Sequence, residues 1–344
     1  MKRRIPVESP VGPAEPIPIA LYGLGAIGCE VARLALGKRS LKVVAAVDTD
    51  PAKLGKDLAE VAGLPSPTGI PITANARAAK AAGAQVVIHS TQSFFPDVVG
   101  QLRSLAEAGL NVVSSSEELS YPFLKYRAHA EDLDQLARDR GVRLLGTGVN
   151  PGFVMDTLPL LATAVCQQMS RLRIERVVDA SLRRYNLQKK IGAGMSVEQF
   201  EAEMASGRMG HIGLVESVAM VAAGLGWKLD RIEEEILPVV AEAPTRSDYF
   251  DLAPGAVAGL RQTAIGYRGD EELITLYLEM ALGATDPRDR VRIAGRPAMT
   301  LDVPGGTHGD VATAAVLANA VPRLLEAPPG LRTMLDLPLP RYID

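Results

Sequence analysis

Two adjacent carboxylates, Glu117 and Glu118, stand directly after an apolar segment that turns polar as it ends, Leu110-Asn111-Val112-Val113-Ser114-Ser115-Ser116. A carboxylate held in a cleft can move a proton or stabilise a developing positive charge. Acids in the first turn of a helix also complement its dipole, so the pair has a structural reading as well. Neighbouring side chains do not point the same way; one of the two can face a crevice while the other faces solvent or caps a helix. The second stretch with chemistry in it is glycine-rich. Gly23, Gly25 and Gly28 fill the G-x-G-x-x-G positions between the apolar run Ile19-Ala20-Leu21-Tyr22 and the helically spaced Val31, Leu34 and Ala35. In a dinucleotide site Gly23 permits the tight turn, Gly25 lets the backbone approach a pyrophosphate and Gly28 lets the helix pack on the strand. Ala26 and Ile27 then lie at the positive end of that helix, where unpaired N–H groups meet phosphate. Strand-to-helix turns also use glycine for steric reasons alone.

Other residues gain meaning from their distance to these two stretches. Asp48 ends the apolar run Leu41–Val47, twenty residues after Gly28. That is where a carboxylate accepts hydrogen bonds from an adenosine ribose, although a turn residue before Thr49-Asp50-Pro51 fits too. Lys53 is close enough to reach an added 2′-phosphate, or is an ordinary solvated lysine. Ser90, Thr91 and Gln92 follow the run Ala84–His89, and Asn150 follows Gly146-Thr147-Gly148-Val149. In an open parallel sheet these strand ends face the ligand crevice. Asn150 before Pro151 also suits an Asx turn. Tyr185 and Trp227 are candidates for the wall of a substrate pocket, together with the basic loop near Lys189; a single tryptophan after a helix is otherwise a core residue. His308 suits either proton donation or a local turn contact.

The elements that must position these residues alternate strand and helix over the first half of the chain. Strands near residues 19–22, 41–47, 84–91, 110–116 and 141–146 are separated by helices near 26–36, 95–108 and 128–140. This predicts an α/β, Rossmann-type, doubly wound parallel sheet over residues 17–150. The character then changes. An apolar helix over 156–169, an alternating strand over 172–180, a loop over 184–195, a capped helix from Ser196 and a helix from His211 to Leu225 precede strands near 236–240, 260–267, 273–284 and 290–294. A second α+β domain on a mixed or antiparallel sheet is expected over 151–304. A helix over 311–325 and an apolar tail, within 305–344, should return to the first domain. Residues 1–16 carry Pro6, Pro10, Pro13 and Pro16 and read as an arm outside the fold.

Composition sets limits. At 344 residues the chain can bury two cores, and 47% hydrophobic residues make it globular. A net charge of −3 with scattered Lys and Arg gives no nucleic-acid footprint. No apolar run suits a bilayer or a signal core, so no membrane is implied and the cytoplasm is the default location. Cys29 and Cys166 form neither a disulfide framework nor a metal cluster, and His89, His129, His211 and His308 lack zinc-ligand spacing, so no metal is expected.

Four segments together resemble a known family: Gly23–Gly28; Glu117-Glu118-Leu119-Ser120-Tyr121-Pro122; Gly146-Thr147-Gly148-Val149-Asn150-Pro151-Gly152-Phe153; and Gln188-Lys189-Lys190-Ile191-Gly192-Ala193-Gly194-Met195. The chain is similar to the NAD(P)-dependent native amine dehydrogenases and 2,4-diaminopentanoate dehydrogenases, which share a dihydrodipicolinate-reductase-like N-terminal domain. Gly305–Ala315 and Pro329–Pro338 fit as well, so the resemblance spans residues 19 to about 338. Dihydrodipicolinate reductase itself fits less well, since no paired-histidine segment with a nearby lysine is present. The resemblance implies a homodimer, a catalytic glutamate, and reversible NAD(P)-dependent oxidative deamination of an amine to a ketone or aldehyde, with ammonia consumed in reverse. Asp48 repels a 2′-phosphate and argues for NAD as cofactor, while Thr49 and Lys53 make NADP tolerable. Glu117 is the expected catalytic group and Glu118 its alternative. Two rival readings stay open: a dehydrogenase of an alcohol, semialdehyde or cyclic imine, and a non-catalytic NAD-sensing protein.

Overall fold

The computed structural model describes residues 15–205 and 209–344. The expected arm over 1–16 lies outside the described residues apart from Glu15 and Pro16. Six strands of the first half, β1 (Ile17–Tyr22), β2 (Leu41–Val47), β3 (Ile72–Thr73), β4 (Val86–His89), β5 (Asn111–Ser114) and β6 (Arg143–Gly146), pair in parallel in the order β6-β5-β4-β1-β2-β3. The strand order reverses between β1 and β4, and ligands of such sheets bind outside the carboxyl ends of the strands at that point. Both faces are covered, which is why β4 and β5 read as continuous apolar runs. Helix Ala26–Leu36 buries Val31, Ala32 and Ala35 on one face; helices Phe95–Glu107 and Arg127–Asp139 bury Val98, Leu102, Leu105, Leu133 and Ala137 on the other.

The second half builds its own sheet from β7 (Gln168–Asp179), β8 (Arg231–Val240), β11 (Val257–Arg268), β12 (Glu271–Ala281), β13 (Arg288–Arg296) and β14 (Met299–Pro304), while β9 (Thr245–Arg246) and β10 (Asp251–Leu252) pair separately. The order is β14-β13-β7-β12-β11-β8, antiparallel except for the parallel pair β7 and β12. The sheet is therefore mixed. Gly269 and Asp270 turn the β11–β12 hairpin, with Arg268 opposite Glu271. One face packs on helix Leu214–Leu225 through Leu260, Ala264, Leu276 and Leu278. Helix Gly309–Glu326 then lies against helix Ala26–Leu36 on the first sheet, and β15 (Gly330–Arg332) extends that sheet beside β6 in parallel. Among the described residues no helix is long and apolar enough to cross a membrane.

Several sequence-based boundaries move. The helix expected over 156–169 is only Thr157–Ala162 plus one 3-10 turn, because the backbone from Gln168 onward enters the ladder with β13. The loop expected over 184–195 contains the helix Tyr185–Lys190. The helix expected from His211 begins at Leu214, since Gly213 at φ 103° lies outside helical backbone space. Ser196 and Gln199 form the expected reciprocal cap, with Gln199 N donating to Ser196 Oγ at 3.2 Å and Ser196 N to Gln199 Oε1 at 2.9 Å.

A buried ion pair sets the seam between the two sheets. Arg176 on β7 donates to Asp289 Oδ1 on β13 at 2.6 Å and to the Thr307 carbonyl at 2.6 Å, and Thr307 N donates to Asp289 Oδ2 at 2.7 Å. Asp289→Ala leaves the Arg176 charge buried without its partner, and the expected loss is about 3–5 kcal/mol in urea unfolding; a loss below about 1 kcal/mol refutes this.

Candidate active site

A cavity of about 390 Å³ opens where the carboxyl ends of the first sheet meet the second. Its first wall is the glycine turn after β1. Gly23 has φ 89°, and a Cβ there would meet the Ser90 carbonyl oxygen at 2.3 Å; a Cβ on Gly28 would meet the Gly23 carbonyl oxygen at 1.8 Å. Both positions thus exclude any side chain. Gly25 differs: a Cβ there would meet nothing within 4 Å, and no side chain caps the helix that starts at Ala26. The N–H groups at that helix start have no partner in the helix, and with Gly25, Ala26 and Ile27 they line the cavity.

Asp48 joins this turn to the end of β2. Its Oδ2 accepts from Leu24 N at 2.7 Å and Lys53 Nζ at 3.0 Å, and its Oδ1 accepts from Asp50 N at 2.9 Å. Burial pushes the carboxyl up, yet the hydrogen bonds from Asp50, Leu24 and Lys53 together hold it below its ordinary pKa. It stays ionised, with lone-pair capacity left on Oδ1. Beneath the neighbouring strand ends, His89 is fully buried and pushed by burial down to about 4. Its ring shares hydrogen bonds with Ser114 Oγ at 2.9 Å, Gln101 Oε1 at 2.6 Å and Thr91 Oγ1 at 3.0 Å, which fixes β4 against β5. Ser90, Thr91 and Gln92 all line the cavity, as does Asn150 at the end of the turn after β6. Ser90 Oγ and Asn150 Oδ1 are buried with no hydrogen-bond partner among the described residues. Two orphaned oxygens on the wall, beside a cradle at Gly25 with no protein opposite it, suit a polar ligand such as a dinucleotide.

The two glutamates separate. Glu117 lines the cavity; burial pushes its carboxyl up, against the lowering influence of Lys190 and a hydrogen bond from Ser93. Glu118 turns away. Its Oε2 accepts from Phe95 N at 2.9 Å, at the start of helix Phe95–Glu107, and its Oε1 lies 3.2 Å from Lys125 Nζ, which also meets Glu216 Oε1 at 2.8 Å. The helix-capping role that sequence allows for this pair thus falls to Glu118, on the helix before it.

The wall contributed by the second half is Arg176, Val178, Arg183, Arg184, Asn186, Leu187, Lys190, His211, Leu278 and Met280, with Gly309, Asp310 and Thr313 at the start of the returning helix. Arg183 and Arg184 lie 3.0 and 3.5 Å from the Asp310 carboxylate. Neither Tyr185 nor Trp227 is on this wall. Tyr185 stacks on Phe250 with centroids 5.7 Å apart and planes 6° from parallel, on the outer side of its helix. Trp227 follows the C-terminus of helix Leu214–Leu225, whose N-terminus faces the cavity, and so lies in a separate depression with Tyr121, Phe123 and Leu229. His308 caps its helix, with Nδ1 accepting from Val311 N at 3.5 Å. The loop expected over 184–195 brings Arg184, Asn186, Leu187 and Lys190 to this wall, and the start of the returning helix brings Asp310; sequence reading missed Ser93, Arg183 and His211. The one available signal was Gly210-His211-Ile212-Gly213, a histidine between two glycines. Among the described residues no group of three His, Cys, Asp or Glu side chains could hold a metal ion.

Residues 153–344 match the family model of the 2,4-diaminopentanoate dehydrogenase C-terminal domain, and residues 17–117 match that of the dihydrodipicolinate reductase N-terminus. The chain is 32% identical to the 2,4-diaminopentanoate dehydrogenase of Acetoanaerobium sticklandii over 96% of its own length and 95% of that protein's. It is 25% identical to the amine dehydrogenase of Streptomyces virginiae, over 94% and 96%. A solved structure of the amine dehydrogenase from Mycobacterium smegmatis superposes with a TM-score of 0.83 at 26% identity, covering 95% of this chain and 97% of that one.

The Asp48–Lys53 pair yields a prediction on cofactor choice. Asp48→Ala is expected to weaken NADH binding at least about tenfold, the worth of one charge-assisted hydrogen bond, and to narrow the difference between NADH and NADPH. Lys53→Ala should cost NADPH more than NADH. Fluorescence titration of both nucleotides reads these shifts, and equal losses for the two nucleotides in Lys53→Ala refute its role.

Proposed function

The chain belongs to the 2,4-diaminopentanoate dehydrogenase family, and from that membership we propose that it interconverts an amine with a ketone or aldehyde, using NAD, or NADP, and releasing or consuming ammonia. The observation that carries the site assignment is the position of Glu117: a half-buried glutamate, its carboxyl pKa raised by desolvation, on the wall of the same cavity that the glycine turn opens into. The nicotinamide, when bound, accepts or supplies the hydride, which leaves proton handling and orientation to the protein. Gly23, Gly25 and Gly28, with the N–H groups of Ala26 and Ile27, would hold the pyrophosphate; Asp48 would hold the adenosine ribose; and Ser90, Thr91, Gln92 and Asn150 would hold the rest of the cofactor.

Glu117 then does the acid–base work. In the amination direction its carboxylate takes the proton of ammonium, freeing the ammonia lone pair to attack the carbonyl carbon. The same carboxyl returns that proton to the departing hydroxyl as water leaves, and the resulting carboxylate faces the positive iminium carbon that receives hydride. A carboxyl with an ordinary pKa would be a poor acceptor for ammonium near neutrality, and burial corrects that in the right direction. Glu118 has no part in this, since Phe95 N and Lys125 occupy it.

The second wall narrows the substrate. It carries Arg176, Arg183, Arg184 and Lys190, while Glu117 and Asp310 are the carboxylates of the cavity and Asp289 neutralises Arg176 from behind. Arg183 and Arg184 share the single Asp310 carboxylate, Arg184 at the longer 3.5 Å, so Arg184 keeps guanidinium donors for a second carboxylate. Of the two classes in the relatives' names, the amino carboxylate therefore fits this wall better than a plain amine. We also read the protein as a cytoplasmic homodimer acting on small molecules, in keeping with its family resemblance.

Glu117→Gln should abolish ammonium-dependent NADH oxidation while leaving NADH affinity within about twofold, a change of under 0.5 kcal/mol. The same variant tests the burial argument. A carboxyl whose folded pKa is raised binds its proton more tightly in the fold, so its ionisation destabilises the protein as pH rises from the unfolded value through the folded one. Glu117→Gln should therefore melt higher than wild type at about pH 8, with the gain fading toward about pH 4. Full turnover in the variant removes the assignment. For the substrate class, Arg184→Ala should lower kcat/KM for amino carboxylates at least about tenfold relative to matched simple amines; equal losses on both would refute carboxylate recognition there.

A further inference from the structure

His211 lies in a turn that the fold holds with unusual completeness. Gly210 and Gly213 on either side have φ 110° and 103°, backbone that residues with side chains rarely adopt. A Cβ on Gly210 would meet Ile236 Cδ1 at 2.6 Å, and one on Gly213 would meet the Pro151 ring at 2.6 Å and Glu117 Cβ at 3.3 Å. The turn is thus pressed between the second sheet and the loop that carries Glu117. The buried Gln262 amide clamps the backbone of His211 itself, accepting from His211 N at 2.7 Å and donating to its carbonyl at 3.0 Å.

The ring is held as specifically as the backbone. His211 Nε2 lies 3.1 Å from the Asn150 carbonyl oxygen. A carbonyl only accepts, so Nε2 carries the hydrogen, and in the neutral ring Nδ1 keeps a bare lone pair. Among the described residues Nδ1 has no hydrogen-bond partner, and the ring lines the same cavity as Glu117. The charged groups around it are Lys190, Arg176 and Glu117. Burial, and then the charges of Lys190 and Arg176, push the imidazole down to about 4, so the neutral tautomer persists through neutral pH.

We propose that His211 is the acceptor that holds the reacting nitrogen: its Nδ1 takes an N–H hydrogen bond from bound ammonia and from the iminium and amine that follow, while Glu117 moves the protons. This rests on the amine dehydrogenase reading and adds a second group that touches the substrate. It also supplies a basis for choosing C=N over C=O. Ammonia, iminium and amine each offer an N–H to a lone pair, whereas a carbonyl oxygen offers only a second lone pair and is repelled. A neutral imidazole is required, because an imidazolium would donate rather than accept and would repel the positive iminium.

Two variants test it. His211→Leu removes the acceptor; His211→Gln keeps an amide donor for the Asn150 carbonyl and an oxygen that can accept, and so serves as the conservative control. Steady-state kinetics with a saturating ketone should show the KM for ammonium raised at least about tenfold in His211→Leu, the loss of one hydrogen bond to a charged or partly charged donor. NADH affinity by fluorescence should stay within about twofold, and His211→Gln should recover part of the loss. An ammonium KM unchanged in both variants overturns the proposal. So does a rise matched by equal losses in NADH affinity and ketone KM, which would mark a displaced turn rather than a lost acceptor. Wild-type protein with no ammonium-dependent turnover overturns the dehydrogenase reading and this proposal together; an active wild type with an indifferent His211→Leu overturns this proposal alone.

Discussion

The Arg176–Asp289 pair is the interaction on which the cavity depends. Both side chains are buried, both sit on the second sheet, and between them they bind the N–H and the C=O of Thr307. Burying two charges is costly, and such a pair contributes little net stability compared with apolar packing of the same volume. What it does here is fix a register. Thr307 lies two residues before helix Gly309–Glu326, which runs along the first sheet beside Ala26–Leu36. A chain that leaves one sheet and lies down on another needs its crossing point fixed, or the walls of the cavity between them drift. Arg176 itself lines that cavity, so one side chain serves both the seam and the site.

Burial acts on the titratable groups of this region in opposite directions, driving each toward its neutral form. Glu117 is pushed up, toward its neutral form; His211 and His89 are pushed down to about 4, also toward theirs. Asp48 suffers the same desolvation but collects enough donors to stay ionised. The difference lies in the count of hydrogen-bond donors, since Asp48 has three from the protein and Glu117 has Ser93 and a nearby lysine. Permanent charge is thus kept at the position suited to ribose hydroxyls, and switchable charge at the position suited to proton transfer.

How much of this was legible in sequence follows from how local each feature is. The glycine turn, Asp48 and the strand ends at Ser90 and Asn150 belong to strand-turn-helix units, where spacing alone dictates placement, and the parallel, doubly wound class of the first sheet followed from the alternation of strand and helix. Glu117 was legible as one of two candidates, because a strand end guarantees that something faces the crevice without saying which of two neighbours. The second wall was legible only in part, through the basic loop over 184–195. Arg183, Lys190, His211 and Asp310 come from four separate segments, brought together only by the pairing of β7 with β12 and by the crossing at Thr307. Tyr185 opens the segment expected as a loop and Trp227 follows a helix, yet their rings complete packing elsewhere, against Phe250 and beside Tyr121.

The distinct fates of Glu117 and Glu118 follow from what surrounds the second of them. Lys125 bridges Glu118 and Glu216, and Glu216 is buried on helix Leu214–Leu225, with one oxygen already lacking a partner. Were Glu118 to swing into the cavity, Phe95 N at the start of its helix would lose its acceptor, and Lys125 would keep a single carboxylate. The first loss leaves a buried N–H unsatisfied, at a cost of about 1–3 kcal/mol, and the second takes one of two carboxylates from a lysine whose side chain is partly exposed. Glu117 has no comparable anchor: its contacts are Ser93 and the field of Lys190. The neighbour with the stronger structural obligations is thereby locked, and the one with weaker ties is the one available to a substrate. Because the lock reaches the same helix that begins just after His211, the Glu118–Lys125–Glu216 cluster also holds the two walls of the cavity in step, so that Glu117 and His211 are presented from a common support.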